Sequence, residues 1–171
     1  MDLTVTRDGD RWWAALDDGR HFRCAMGRGG CVRAKREGDG ATPIGAWPMR
    51  RLLYRPDRLP AAPETGLPVA PLSPTDGWCD DPADATNYNR PVTLPFSGSH
   101  EVLWRTDGLY DLIVVLGHND APPVPGAGSA IFLHCARPDY APTEGCVALA
   151  RPDLLAALAG VDPASRVVVR G

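Results

Sequence analysis

Alternating apolar and polar side chains mark the N-terminal third of the chain as a β-meander. Its runs are Leu3 to Thr6, Arg11 to Leu16 and His21 to Met26, and in the last of them Phe22, Cys24 and Met26 share one face at period two. Asp17-Asp18-Gly19-Arg20 reads as a hairpin turn, because Gly accepts the positive φ that tight turns demand. A Gly-rich, charged connection from Gly27 to Gly40 leads through Thr42-Pro43-Ile44-Gly45 into a strand from Trp47 to Tyr54. Tyr110 to Gly117 and Ser129 to Cys135 are rich in β-branched and aromatic residues, and the Pro/Gly-rich loop Asn119 to Gly128 between them predicts neighbouring antiparallel strands. The best helical segment is Pro152 to Ala159: Pro152 suits a first turn, Leu154, Leu155 and Leu158 share a face, and Gly160 suits the stop. Arg166 to Arg170 closes the chain as a strand.

The stretch from Pro56 to Pro95 breaks this pattern with nine prolines in 40 residues. Proline cannot donate to a central ladder, so most of the stretch is expected to be irregular surface structure. Trp78, Tyr88 and the polar run Asp80, Asp81, Asn87 and Asn89 favour an ordered cover over a disordered linker. With 18 Gly and 18 Pro in 171 residues, the composition argues for short strands joined by turns and against a helical bundle. The expectation is a single mainly β domain spanning 1–171, with a few short helices and a Pro-rich insertion at about 56–95.

Charge and apolar runs narrow the partners. A net charge of −3 with no concentrated basic stretch argues against nucleic acid. Apolar runs such as Leu112 to Leu116 fall far short of the roughly 18 to 20 residues that cross a bilayer, so no membrane span is expected. The first ten residues carry Asp2, Asp8 and Asp10 where an export signal would show a basic start and an apolar block. Five cysteines, an odd number without close pairs, read as reduced thiols. Together these features predict a cytoplasmic protein.

The chemistry gathers between Ile131 and Leu149, where a strand ends in His134 and Thr143-Glu144-Gly145-Cys146 precedes the helix. His134 and Cys146 lie twelve residues apart, joined by a loop that can fold back. A cysteine attacks as thiolate, and its pKa of about 8.5 falls to roughly 3.5 to 7.5 beside an imidazolium or a helix N-terminus. Gly145 frees the backbone beside Cys146 so that N–H groups can converge on an oxyanion. That is an acyl-transfer layout, against which stands the plain alternative of a buried cysteine that only fills space.

The block from His134 to Thr143-Glu144-Gly145-Cys146-Val147 resembles the catalytic signature of the YkuD-type L,D-transpeptidase family, a His followed by Ser/Thr-x-Gly-Cys and an apolar residue. Thr42-Pro43-Ile44-Gly45 is similar to the Thr-Pro-x-Gly segment those domains carry upstream. The resemblance implies a β-rich, sandwich-like mixed fold and no metal or cofactor. It makes Cys146 the nucleophile, His134 the general base, the Cys146 N–H an oxyanion donor, and a backbone carbonyl the group that orients the imidazole. It also implies that carbapenems acylate Cys146. Departures are a short His-to-Cys loop, Cys135 where many members have Gly, Glu144 where some have a second His, and Ala148 where many secreted members have Arg or Asn. Similar proteins without export signals act as L,D-carboxypeptidases on murein tetrapeptides in wall recycling, which is the leading expectation. An L,D-transpeptidase that forms cross-links and a non-catalytic muropeptide binder are the alternatives.

Other residues have candidate roles around this pair. Cys135, next to His134 on a strand, should face away from the site and pack. His118 competes as base, but a hairpin centred near Pro123 pairs His134 near Leu112 and leaves His118 roughly 20 Å away, as a substrate contact or a strand-end residue facing water. Arg137 suits a peptide carboxylate, or is a solvated loop residue. Thr143 bonds either the tight turn or the substrate. Trp78 and Tyr88 line the pocket from the cover or fill core. A zinc site from Cys24, Cys31 and Cys79 lacks any C-x-x-C pairing.

Overall fold

The computed structural model describes residues 1–171. The chain forms β1 (Leu3–Asp8), β2 (Arg11–Leu16), β3 (His21–Ala25), β4 (Cys31–Val32), β5 (Thr42–Pro43), β6 (Gly45–Tyr54) and β7 (Val69–Pro71). It continues through β8 (Asp76–Cys79), β9 (Pro91–Thr93), β10 (His100–Val102), β11 (Leu112–Leu116), β12 (Phe132–Cys135), β13 (Val147–Leu149), α1 (Arg151–Leu158) and β14 (Arg166–Val169). The fold is therefore mostly β with one short helix, where a few were expected. The meander forms as its alternation dictates: Leu3, Val5, Ala14, Leu16 and Cys24 are buried, and Gly19 turns the β2–β3 hairpin at φ 91°.

The main sheet runs in the order β11-β12-β13-β3-β2-β1-β14-β6-β7, and β11 also pairs with β6. That pairing joins the two ends of the order, so eight strands close into a ring and β7 adds alongside the end of β6. Closure removes most unpaired strand edges. Inside the ring, 24 residues form one apolar core, to which α1 contributes Leu154, Ala157 and Leu158. The start of the helix is fixed by Asp111, a buried carboxylate that accepts from Arg151 at 3.0 Å and from Arg58 at 2.8 Å.

The β11–β12 hairpin positions the site. It is antiparallel as expected, with His134 opposite Ile113, one residue from the expected partner Leu112. Its alternation serves two cores: Leu112, Val114, Leu116, Leu133 and Cys135 face the ring interior, while Ile113, Val115 and Phe132 join a second cluster with Trp78, Leu103, Tyr110 and Cys146. The Pro-rich stretch and the residues after it build the outer wall of that second cluster. As expected, most of the stretch is irregular, and the short strands β7, β8 and β9 are its only regular elements; β8 is the centre of a three-stranded sheet with β9 and β10. Proline is tolerated because Pro71 ends one strand and Pro91 begins another, where a missing donor costs little.

Candidate active site

Period two on β12 sends Cys135 into the ring core and leaves His134 on the outer face. The imidazole is 5% exposed, with the Tyr110 ring edge-on at 5.2 Å. Its Nδ1 lies 2.9 Å from the Cys135 carbonyl oxygen. A carbonyl only accepts, so Nδ1 carries the proton and Nε2 is the basic nitrogen. Burial, and to a smaller extent the positive charge of Arg105, lower the His134 pKa to about 4.

Cys146 stands just before β13, which lies parallel to β12 with Ala148 opposite His134. The turn that delivers it is tied by Thr143, whose hydroxyl donates to the Cys146 carbonyl at 2.6 Å and accepts from the Gly145 N–H at 3.2 Å. Of the two roles open to Thr143, the structure displays the turn bond. Gly145 adopts φ +131°, and a Cβ there would meet the Ala41 carbonyl oxygen at 2.8 Å, so a side chain is excluded by conformation and by space.

The Cys146 thiol donates to the Ala130 carbonyl at 3.2 Å and accepts from the Phe132 N–H at 3.4 Å. Burial above all, and next the nearby Glu101 carboxyl, push its pKa up to about 12. This corrects the expectation of a depressed thiol pKa. β13 separates Cys146 from the helix N-terminus, and the buried imidazole is neutral and supplies no cation. The resting pair is thiol and imidazole.

Both groups line one cavity of about 500 Å³, together with Thr143 and Arg137. Arg137 is exposed and has no ion-pair partner. Trp78 does not line it: the indole is buried, its Nε1–H donates to Asn89 Oδ1 at 3.0 Å, and its ring packs edge-on to Phe132 at 5.1 Å, beside a separate cavity of about 270 Å³. Tyr88 is fully buried, with its hydroxyl donating to Glu37. His118 is also absent from this cavity, and it does not face water. It is buried 4.7 Å from the Trp47 ring, with an unpartnered Nδ1 and a pKa lowered by burial to about 4.

The cavity also holds residues that the sequence did not single out: Lys35, Glu37, Glu101, Arg105 and Tyr110. Tyr110 donates to Glu101 Oε2 at 2.6 Å, and Arg105 is turned to Asp107 at 2.7 Å. Glu101 carries no local signal, since it arrives through the pairing of a three-residue strand, opposite Trp78. Tyr110 had one weak signal, a hydroxyl at the head of a buried strand, where a partner is required. No group of three His, Cys, Asp or Glu side chains is arranged to hold a metal, and no helix is long and apolar enough to cross a membrane.

The family model described as YkuD, L,D-transpeptidase catalytic domain, matches residues 3–169. No curated protein and no solved structure matches the chain.

Proposed function

The chain belongs to the YkuD family of L,D-transpeptidase catalytic domains, whose chemistry is directed at peptidoglycan peptides, and we propose that this protein works as a cysteine L,D-carboxypeptidase. It removes the terminal D-alanine from murein tetrapeptides, and Cys146 and His134 carry the reaction. The observation that carries this reading is a thiol and an imidazole on one cavity, with the imidazole held through Nδ1 so that Nε2 is its base.

The thiol leaves its bond to Ala130, gives its proton to Nε2 of His134, and its sulfur adds to the carbonyl between the diamino acid and D-alanine. Proton transfer and attack are coupled, because neither charged partner is stable alone in this cavity. The Cys146 N–H donates to the oxyanion, a contact typically worth about 2.7 to 4 kcal/mol. Collapse breaks the C–N bond, and the imidazolium protonates the departing amine. Water, deprotonated by the same Nε2, then hydrolyses the thioester and restores the thiol. Arg137, unpaired at the cavity, receives the carboxylate of the leaving residue.

The cavity, about 500 Å³, holds one peptide end, within the range of roughly 300 to 1,000 Å³ for single small ligands. The proposal sets the reaction in the cytoplasm, in keeping with five unpaired thiols.

Incubation of purified protein with a tetrapeptide, with and without an acceptor amine, tests the outcome by mass spectrometry. Tripeptide and free D-alanine are expected under both conditions, and cross-linked dimer as the main product would overturn the choice. A carbapenem should open its β-lactam on Cys146, adding its full mass to the parent and none to Cys146→Ala. A parent that binds the tetrapeptide without cleaving it would favour a binding protein over an enzyme, and turnover by Cys146→Ala at the parent's rate would remove Cys146 from the reaction.

A further inference from the structure

The catalytic cavity contains a carboxyl group for which the acyl-transfer steps above have no use. Glu101 stands opposite Trp78 in the β8–β10 ladder, and paired residues project to the same side, here toward the outer face of β12. Its Oε2 accepts from Tyr110, while no protein donor reaches Oε1. Oε1 is not among the fully buried orphan atoms, so this oxygen opens on the cavity. The arginine nearest in sequence is engaged elsewhere, with Arg105 bonded twice to Asp107.

Glu101 is also close enough to Cys146 for its charge to disfavour the thiolate. Burial above all raises its pKa; the Tyr110 hydrogen bond and the Arg105 charge lower it, and the negative neighbours Asp80 and Glu37 raise it. An anion that is desolvated, flanked by like charge and without an ion-pair partner is costly in the empty protein. The cost is relieved when a cation enters. Arg137 offers the opposite charge on another wall, so the cavity suits a ligand that is positive at one point and negative at another.

We propose that Glu101 is the specificity residue of this cavity and binds a primary ammonium group carried by the residue whose carbonyl acylates Cys146. The assignment rests on the stem-peptide reading and deepens it: a diamino acid carries a spare ammonium close to the scissile carbonyl, and a monoamino acid does not. Tyr110 is a positioning residue, holding one oxygen so that the other points to the ligand.

The test uses the full chain and two tetrapeptides, one with the free side-chain amine and one with that amine acetylated. The parent is expected to prefer the free amine by roughly 10- to 100-fold in kcat/KM, the range of a hydrogen bond to a charged group. Glu101→Gln, which keeps the acceptor for Tyr110, should lose most of that preference, its kcat/KM falling far more on the free-amine peptide than on the acetylated one. Glu101→Asp should retain part of it. A Glu101→Gln protein that loses the same factor on both peptides, or that keeps the parental preference, overturns the assignment and leaves the carboxypeptidase reading standing. A parent that cleaves neither peptide overturns that reading and the assignment with it.

Discussion

Two histidines sit near opposite ends of the β11–β12 hairpin, both buried and both with pKa values lowered to about 4. Burial is the leading cause in each case, so the titration behaviour does not distinguish them. Their neighbours do. His134 gives its Nδ1 proton to a backbone carbonyl and shares a cavity with Cys146, whereas His118 has an unpartnered Nδ1, packs against Trp47 and lies off that cavity. A perturbed pKa reports loss of water, which core and active site have in common. The functional distinction is the fixed tautomer and a second reacting group within the same space.

The largest expected effect is on catalysis. His134→Gln should lower kcat/KM by about 10² to 10⁴-fold, the range for loss of a general base. Cys146→Ala should remove thioester formation altogether. His118→Gln should stay within about threefold of the parent, since its imidazole touches no reacting group. Steady-state kinetics on the tetrapeptide checks all three, and a His118→Gln loss matching that of His134→Gln would erase the contrast between the two ends.

How far this contrast was legible in the sequence follows from which contacts are local. The strands were readable because β-branched runs and period-two alternation are local properties, and so was the His134/Cys146 pair, since its motif lies within one strand–loop–strand unit. The register came out one residue off because the ladder is centred between Pro123 and Val124, half a residue beyond the expected midpoint. The burial of His118 was not readable, as Trp47 and Lys35, which crowd it, arrive from distant segments. Counting prolines gave the mostly irregular course of residues 56–95 correctly but not the three short strands within it, because β8 is paired by β9 and β10 rather than marked by a local pattern. The neutral state of Cys146 was invisible for a similar reason, because its desolvation comes from residues that several segments bring around the thiol and not from the motif.

A middle-sized effect concerns stability in acid. Each histidine has a folded-state pKa near 4, below its ordinary 6.5. Between those values the unfolded chain binds more protons than the folded one, so stability is complete above about pH 6.5 and falls as pH drops toward 4. The two sites together give on the order of a few kcal/mol across that window. His118→Phe removes a titrating group and an unsatisfied nitrogen, so its urea midpoint should fall less steeply than the parent's between pH 6.5 and 4. Parallel curves for the two proteins would mean that His118 is as free to protonate in the folded state as in the unfolded one.

The smallest effect, about tenfold, sharpens the comparison most directly. If catalysis starts from a neutral thiol and a neutral imidazole, kcat/KM should fall on the acid side only near pH 4, where His134 protonates, and on the alkaline side only near pH 12, where Cys146 ionises. The acetylated peptide is the substrate of choice, because it takes the Glu101 contact out of the profile. At pH 5.5 a histidine with its ordinary value would be only about one-tenth neutral, whereas His134 should leave the enzyme within twofold of its plateau. A limb near pH 6.5 would show an imidazole in contact with water in the working enzyme. His134 would then be as solvated as an ordinary surface histidine, and its seclusion could no longer be the reason that the thiol waits in its neutral form.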